Sequence, residues 1–210
     1  MEPDAVFLPE YRESTLKFYE TYEPNFLYFD RFETLPPFPV SNLFYGDSIT
    51  AGFPLADLFP GYNMINRGLP GDTPTGLYLR LKRDLYPFAP KRVFLLAGIN
   101  GMDRDEKQVL KELIALTELI RPRSEVVLSS VLPVQNHDKY NCWLQQAKIC
   151  RVNEALQDYA AREKMVFLDY HAALRDENGE LAAEYARPDG IHLTAAGYLQ
   201  MSRVVAPWLL

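Results

Sequence analysis

Arg92-Val93-Phe94-Leu95-Leu96-Ala97-Gly98-Ile99-Asn100-Gly101 opens on an apolar run without polar alternation and closes on glycines around an asparagine. A strand with one wet face alternates apolar and polar residues, because successive side chains point to opposite sides of the sheet. An unbroken run marks a strand covered on both faces, as in a parallel sheet between helices. Further runs of strand length occur at 42–45, 62–65, 125–131 and 165–168. Between them the period is helical: residues 73–86 space Leu77, Leu81 and Leu85 four apart, and residues 105–120 set Val109, Leu113, Leu116 and Ile120 on one face. Residues 141–163 and 194–209 supply two more helices. Strands alternating with helices of roughly ten residues or more imply right-handed crossovers. The expected fold is α/β: a three-layer α/β/α sandwich around a five-stranded parallel sheet. In such a sheet a site forms outside the carboxyl ends of the strands.

The chain has 210 residues, 48% of them hydrophobic and 24% charged, with a formal net charge of −6. A chain of this size buries about 70% of its unfolded surface, so its core needs neither metal nor disulfides to hold it. The acidic balance lacks the basic field that drives binding to nucleic acid or anionic lipid, so neither partner is expected. No apolar run approaches the roughly 20 residues of a membrane span. The amino terminus, Met1-Glu2-Pro3-Asp4, has neither the basic region nor the apolar region of a signal peptide, which points to the cytoplasm. Cys142 and Cys150 share a helical segment. Their separation of about 12 Å along its axis exceeds the roughly 7 Å a disulfide can bridge, so both read as free thiols.

Residues 1–40 differ from the remainder, residues 41–210. They hold ten aromatic side chains, a helix is expected over roughly 11–22, and Pro36-Pro37-Phe38-Pro39 breaks the chain before the first strand. Such an extension packs against the sandwich, walls a substrate cleft, or forms a contact between copies. The oligomeric state is not written in the sequence.

Four strand ends carry chemistry. The first strand runs into Gly46-Asp47-Ser48-Ile49-Thr50, exposing Ser48 at a turn before a helix, where backbone N–H groups favour an anion. A lone serine there caps a helix as readily as it attacks a carbonyl. The G-x-S-x-G elbow of the α/β-hydrolases is not matched, because Thr50 stands at its second glycine. In Arg187-Pro188-Asp189-Gly190-Ile191-His192-Leu193-Thr194, a carboxylate precedes a histidine by three residues in a turn. Asp189 could thereby hold His192 Nδ1 and leave Nε2 for a nucleophile, or merely cap backbone groups. Asn66-Arg67-Gly68-Leu69-Pro70-Gly71-Asp72-Thr73 allows close backbone approach at Gly68, and Asn100 follows the third strand. A glycine N–H and an amide NH₂ beside a serine are what a tetrahedral oxyanion needs. Asp47, Asp72 and Asp103 read as turn or loop carboxylates, and His137 and His171 as surface or capping histidines. No P-loop, no G-x-G-x-x-G and no zinc-like spacing occurs, so no cofactor and no metal are expected.

Together these stretches resemble the SGNH family of GDSL-type esterases and lipases, whose four blocks here read GDSIT at 46–50, NRGLPGDT at 66–73, GING at 98–101 and DGIHLT at 189–194. The resemblance implies a flavodoxin-like sheet ordered 2-1-3-4-5. It also implies Ser48 as nucleophile, His192 as general base and Asp189 as its orienting acid, with the Ser48 N–H, the Gly68 N–H and the Asn100 side chain as oxyanion hole. Gly101 departs from the pattern, standing where the third block commonly carries Asp. The nearest members by resemblance are the platelet-activating-factor acetylhydrolase-like and carbohydrate acetylesterase-like ones. The expected activity is removal of a small acyl group, acetyl above all, from a polar alcohol such as a sugar. The alternatives are a lysophospholipase or thioesterase acting on longer chains and, in another class, a non-catalytic binding module on the same fold.

Overall fold

The computed structural model describes residues 3–22, 36, 38–135 and 146–210. His137, Cys142 and the start of the helix expected over 141–163 lie outside the described residues. Five parallel strands, β1 (Asn42–Gly46), β2 (Met64–Gly68), β3 (Arg92–Leu96), β4 (Glu125–Ser129) and β5 (Phe167–Leu168), form one sheet in the order β2-β1-β3-β4-β5. The long helices of the sandwich are α4 (Pro74–Asp84), α5 (Glu106–Ile120), α6 (Gln146–Arg162) and α8 (Ala195–Val205). Shorter α2 (Ser48–Ala51) and α3 (Leu55–Leu58) lie between β1 and β2, α7 (Tyr170–Leu174) follows β5, and α1 (Pro9–Thr21) precedes the sheet.

The unbroken apolar runs have the predicted cause: alternate strand residues enter two separate cores. Leu43, Tyr45, Val93, Leu95, Val126 and Leu128 meet Leu77, Leu81, Leu113, Leu116, Ile149 and Leu156 on one face. Phe44, Phe94, Leu96 and Val127 meet Ile49, Leu174, Met201 and Val205 on the other. Burying a side chain of this kind contributes about 1.5 to 3 kcal/mol, so each strand is held from both sides. The helices start where the sequence places their caps. Thr73, Asp105 and Thr194 accept from the N–H groups of Gly76, Lys107 and Gly197 at 3.2, 3.1 and 3.3 Å.

The second strand falls at 64–68, later than the expected 62–65. Its register explains the shift: Phe44, Tyr45 and Gly46 pair with Asn66, Arg67 and Gly68, so polar residues continue the ladder. The chain leaves β1 toward β2 and returns to β3 on the opposite side, which opens a crevice at the carboxyl end of β1.

Candidate active site

The register levels the strand ends, Gly46 pairing with Gly68 on one side and Leu96 on the other. Ser48 lies two residues beyond that line, Gly71 three and Asn100 four. Ser48 opens α2, where Asp47 Oδ1 accepts the Ile49 N–H at 3.0 Å. Tyr198 of α8 donates its hydroxyl to Ile49 O at 3.1 Å, which fixes this short helix from a neighbouring helix on the same face of the sheet. Burial pushes the Asp47 carboxyl up to about 7, against the bond from Ile49 N–H.

His192 and Asp189 reach the same point from the loop before α8. Gly190 turns that loop at φ +70°, a conformation that strains any residue with a Cβ. Its carbonyl accepts from Gln135 N–H at 2.8 Å, and Arg187 N–H donates to His192 O at 2.8 Å. Asp189 Oδ1 accepts the N–H groups of Ile191 and His192 at 2.9 and 2.8 Å, while Oδ2 lies 2.9 Å from His192 Nδ1. Partial burial opposes ionisation of Asp189, but the His192 and Ile191 N–H groups and the imidazole outweigh it and hold the carboxyl below its ordinary range. An ionised Asp189 accepts only, so Nδ1 carries the proton and Nε2 is the acceptor. Ser48 Oγ is 3.0 Å from that Nε2. Both contacts considered for Asp189 occur together, Oδ1 capping backbone N–H groups and Oδ2 facing His192 Nδ1.

The four blocks do not all point where expected. Gly68 N–H donates to Asn66 Oδ1 at 2.8 Å, and a Cβ at Gly68 would fall on the backbone N of Ala51. Its glycine serves the close approach of β2 to α2, and its N–H is not available to an oxyanion. Gly71, at φ +76°, lines a cavity of about 190 Å³ together with Asn100. Among the described residues nothing accepts the N–H of Ser48 or of Gly71. Asn100 Nδ2 gives one hydrogen to Asp72 O at 2.9 Å and keeps a second for another acceptor. One signal for Gly71 was in the sequence: the Thr73 cap and Pro74 mark where α4 begins, so the loop's last free amides lie just before them.

Asp72 does more than organise a turn. Its buried carboxylate accepts from Tyr19 Oη at 2.7 Å, Thr73 N–H at 3.0 Å and Arg80 Nε at 2.6 Å. Arg80 also donates to Arg67 O and Gly46 O, both at 2.9 Å, which joins the ends of β2 and β1. Arg80 sits on α4 beside the apolar stripe, and its spacing of four from Asp84, also buried, is the sequence signal for it. At Gly101 a Cβ would stand 2.8 Å from Arg104 Nη2, so the place of the usual aspartate is taken by a guanidinium, itself paired with Glu112 at 3.0 and 3.1 Å. Asp103 is an exposed carboxylate on the cavity lining. His171 is buried, not a surface histidine: burial lowers its basicity, its Nε2 lies 2.7 Å from Gln146 Nε2, and it takes no part in the site.

The described residues 3–22 of the extension pack on the sandwich and line a cavity. Phe7 stacks on Tyr78 at 4.1 Å, and Tyr11 and Phe18 of α1 line the cavity beside Gly71 and Asn100. Cys150 is a free thiol. Among the described residues no helix is long and apolar enough to cross a membrane, and no cluster of three or more His, Cys, Asp or Glu could hold a metal.

Residues 44–199 match the family described as GDSL-like Lipase/Acylhydrolase. The chain belongs to that family. As a GDSL-like acylhydrolase it is an ester hydrolase, with the all-parallel 2-1-3-4-5 sheet of the SGNH sandwich. Its fold is similar to that of a Streptococcus pneumonia protein whose structure is described as that of a putative platelet activating factor, at 28% identity and a TM-score of 0.79, covering 94% of this chain and 99% of that one. A GDSL-like lipase from Bacteroides thetaiotaomicron is 27% identical with a TM-score of 0.76, covering 86% and 94%. A catalytic mutant of an acetylxylan esterase from Geobacillus stearothermophilus shares the fold at 18% identity and a TM-score of 0.65, covering 81% and 94%. No curated protein matches this hydrolase.

Proposed function

We propose that the hydrolase works through an acyl-enzyme on Ser48, and the observation that carries this reading is the unbroken chain from Asp189 Oδ2 through His192 to Ser48 Oγ, at 2.9 and 3.0 Å. Neutral His192 takes the Ser48 proton at Nε2 as Oγ attacks the acyl carbonyl. Asp189 holds the tautomer and stabilises the imidazolium that forms. The oxyanion accepts from the Ser48 N–H, the Gly71 N–H and the second Asn100 amide hydrogen, Gly71 replacing Gly68 in this role. His192 then protonates the leaving alcohol, and water, activated by the same Nε2, releases the acid and restores Ser48. Intact groups at all these positions speak against a non-catalytic module.

The substrate read from the site is a small acyl ester, acetyl above all, of a polar alcohol such as a sugar. The cavity beside Asn100 is about 190 Å³; beside Phe18 it is walled by Tyr11, Ser14, Thr15, Thr73, Asp103 and Arg104, groups that suit hydroxyls better than an alkyl tail. A second reading has its own observation. A groove of about 520 Å³ runs from the end of α2 past α3 to β2, lined in part by Phe53, Leu55, Phe59, Tyr62 and Met64, a lining fit for a longer acyl chain. Comparing p-nitrophenyl acetate with the octanoate separates the two. Each buried methylene contributes about 0.8 kcal/mol, so an enzyme using the groove favours octanoate. The acetyl reading predicts kcat/KM at least about tenfold higher for acetate, and preference for octanoate would overturn it in favour of the long-chain reading.

A further inference from the structure

Helix α1 lies outside the stretch that matches the family, yet its Tyr19 hydroxyl ends on the loop that carries one candidate oxyanion donor, Gly71, and holds a second, Asn100, through the Asp72 carbonyl. That loop, Leu69 to Thr73, is outside the strand ladder. Its backbone is tied by Leu69 N–H to Gly46 O at 3.0 Å and Asp72 N–H to Leu69 O at 3.2 Å. The further hold on it is the Asp72 side chain, 1% exposed, taken from one side by Arg80 and from the other by Tyr19. The carbonyl of the same Asp72 orients Asn100, and the residue before it is Gly71. A shift of the carboxylate is therefore a shift of both donors.

Two neighbouring residues are shaped around this bond. A Cβ at Gly76 would fall on both Asp72 Oδ1 and Tyr19 Oη, so glycine in the first turn of α4 is what lets the hydroxyl reach the carboxylate. Glycine inside a helix costs about 1 kcal/mol relative to alanine. Phe18, next to Tyr19, closes on Gly71, whose Cβ would stand 2.5 Å from its ring. Burial keeps the Tyr19 hydroxyl protonated, with Asp72 adding to the effect, so it remains a donor at neutral pH.

We propose that Tyr19 is a positioning residue for oxyanion stabilisation, acting through Asp72 on Gly71 and Asn100, so that the N-terminal helix belongs to the catalytic unit. The inference rests on the acyl-enzyme reading above. A hydroxyl that only strapped the helix down would change stability and leave turnover alone; one that aims the donors changes kcat.

The test is a double-mutant cycle on the full chain with p-nitrophenyl acetate: wild type, Tyr19→Phe, Asn100→Ala and the pair, with Lys17→Ala on the exposed side of α1 as control. Tyr19→Phe is expected to lower kcat about tenfold with KM within about twofold, and to cost no more than about threefold once Asn100 is alanine, because coupled sites are not additive. Gly76→Ala, which drives the pair apart from the other side, should give the same signature, and Lys17→Ala none. An equal factor in both backgrounds, a loss confined to KM, an unchanged kcat, or a Tyr19→Phe chain that no longer folds would each overturn the proposal. Labelling of the wild type by a fluorophosphonate is run alongside. A wild type that is not labelled at Ser48 removes the acyl-enzyme reading itself, whereas a labelled wild type with unaffected Tyr19→Phe removes only the role of Tyr19.

Discussion

Asn100 Nδ2 donates to the backbone carbonyl of Asp72 across 2.9 Å, linking the loop after β3 to the loop after β2. The bond uses one amide hydrogen and aims the other. Asn100→Ala should therefore lower kcat about 10² to 10³-fold, roughly 3 to 4 kcal/mol, with little change in KM. Steady-state kinetics on an activated ester checks this; a loss wholly in KM would make Asn100 a ground-state binding residue.

Gly68 and Gly71 separate by the same logic. Gly68→Ala places a Cβ on the Ala51 backbone, where neither side can yield cheaply. The expected result is a destabilisation of about 2 to 3 kcal/mol, seen as a lower urea midpoint. The folded fraction should retain near-normal kcat, because the Gly68 N–H already belongs to Asn66. A stable Gly68→Ala protein with kcat down 100-fold or so would return Gly68 to the oxyanion hole.

Asp47 gives stability a pH dependence. Its folded carboxyl titrates at about 7 against an ordinary value of 3.8, raised chiefly by burial. Below the unfolded value both states hold the proton. As pH rises the unfolded chain ionises first, so the folded state loses relative stability through the window from about 4 to 7 and levels off above it. Asp47→Asn keeps an acceptor for the Ile49 N–H and removes the titration. Melting midpoints measured across that window should show the wild type falling relative to Asp47→Asn; parallel curves would mean that Asp47 is ionised when folded.

The fold was readable because burial on both faces erases alternation, and Val93 to Ala97 carries that signature undiluted. β2 was misplaced by two residues or so because Asn66 and Arg67 look like loop residues until pairing with Phe44 and Tyr45 makes them strand. Ser48, Asp189, His192 and Asn100 stand out as candidates from local turn chemistry beside a resemblance, and the structure brings Ser48, His192 and Asp189 within hydrogen-bond distance. The choice of Gly68 failed for a physical reason: a glycine's permissiveness does not say whether its N–H faces a ligand or an adjacent side chain, here Asn66. Arg80 and Tyr19 were hidden because their partners lie 8 and 53 residues away at Asp72 and no motif spans that separation.

The most direct measurement of the central claim is the intact and peptide mass of the protein after reaction with a fluorophosphonate. The account predicts one adduct, located on Ser48, absent from Ser48→Ala and formed several orders of magnitude more slowly in His192→Ala. It predicts a comparably severe slowing, about 10⁴-fold, in Asp189→Asn, where the wrong histidine tautomer is held. An unmodified wild type, or an adduct on any residue but Ser48, would contradict it.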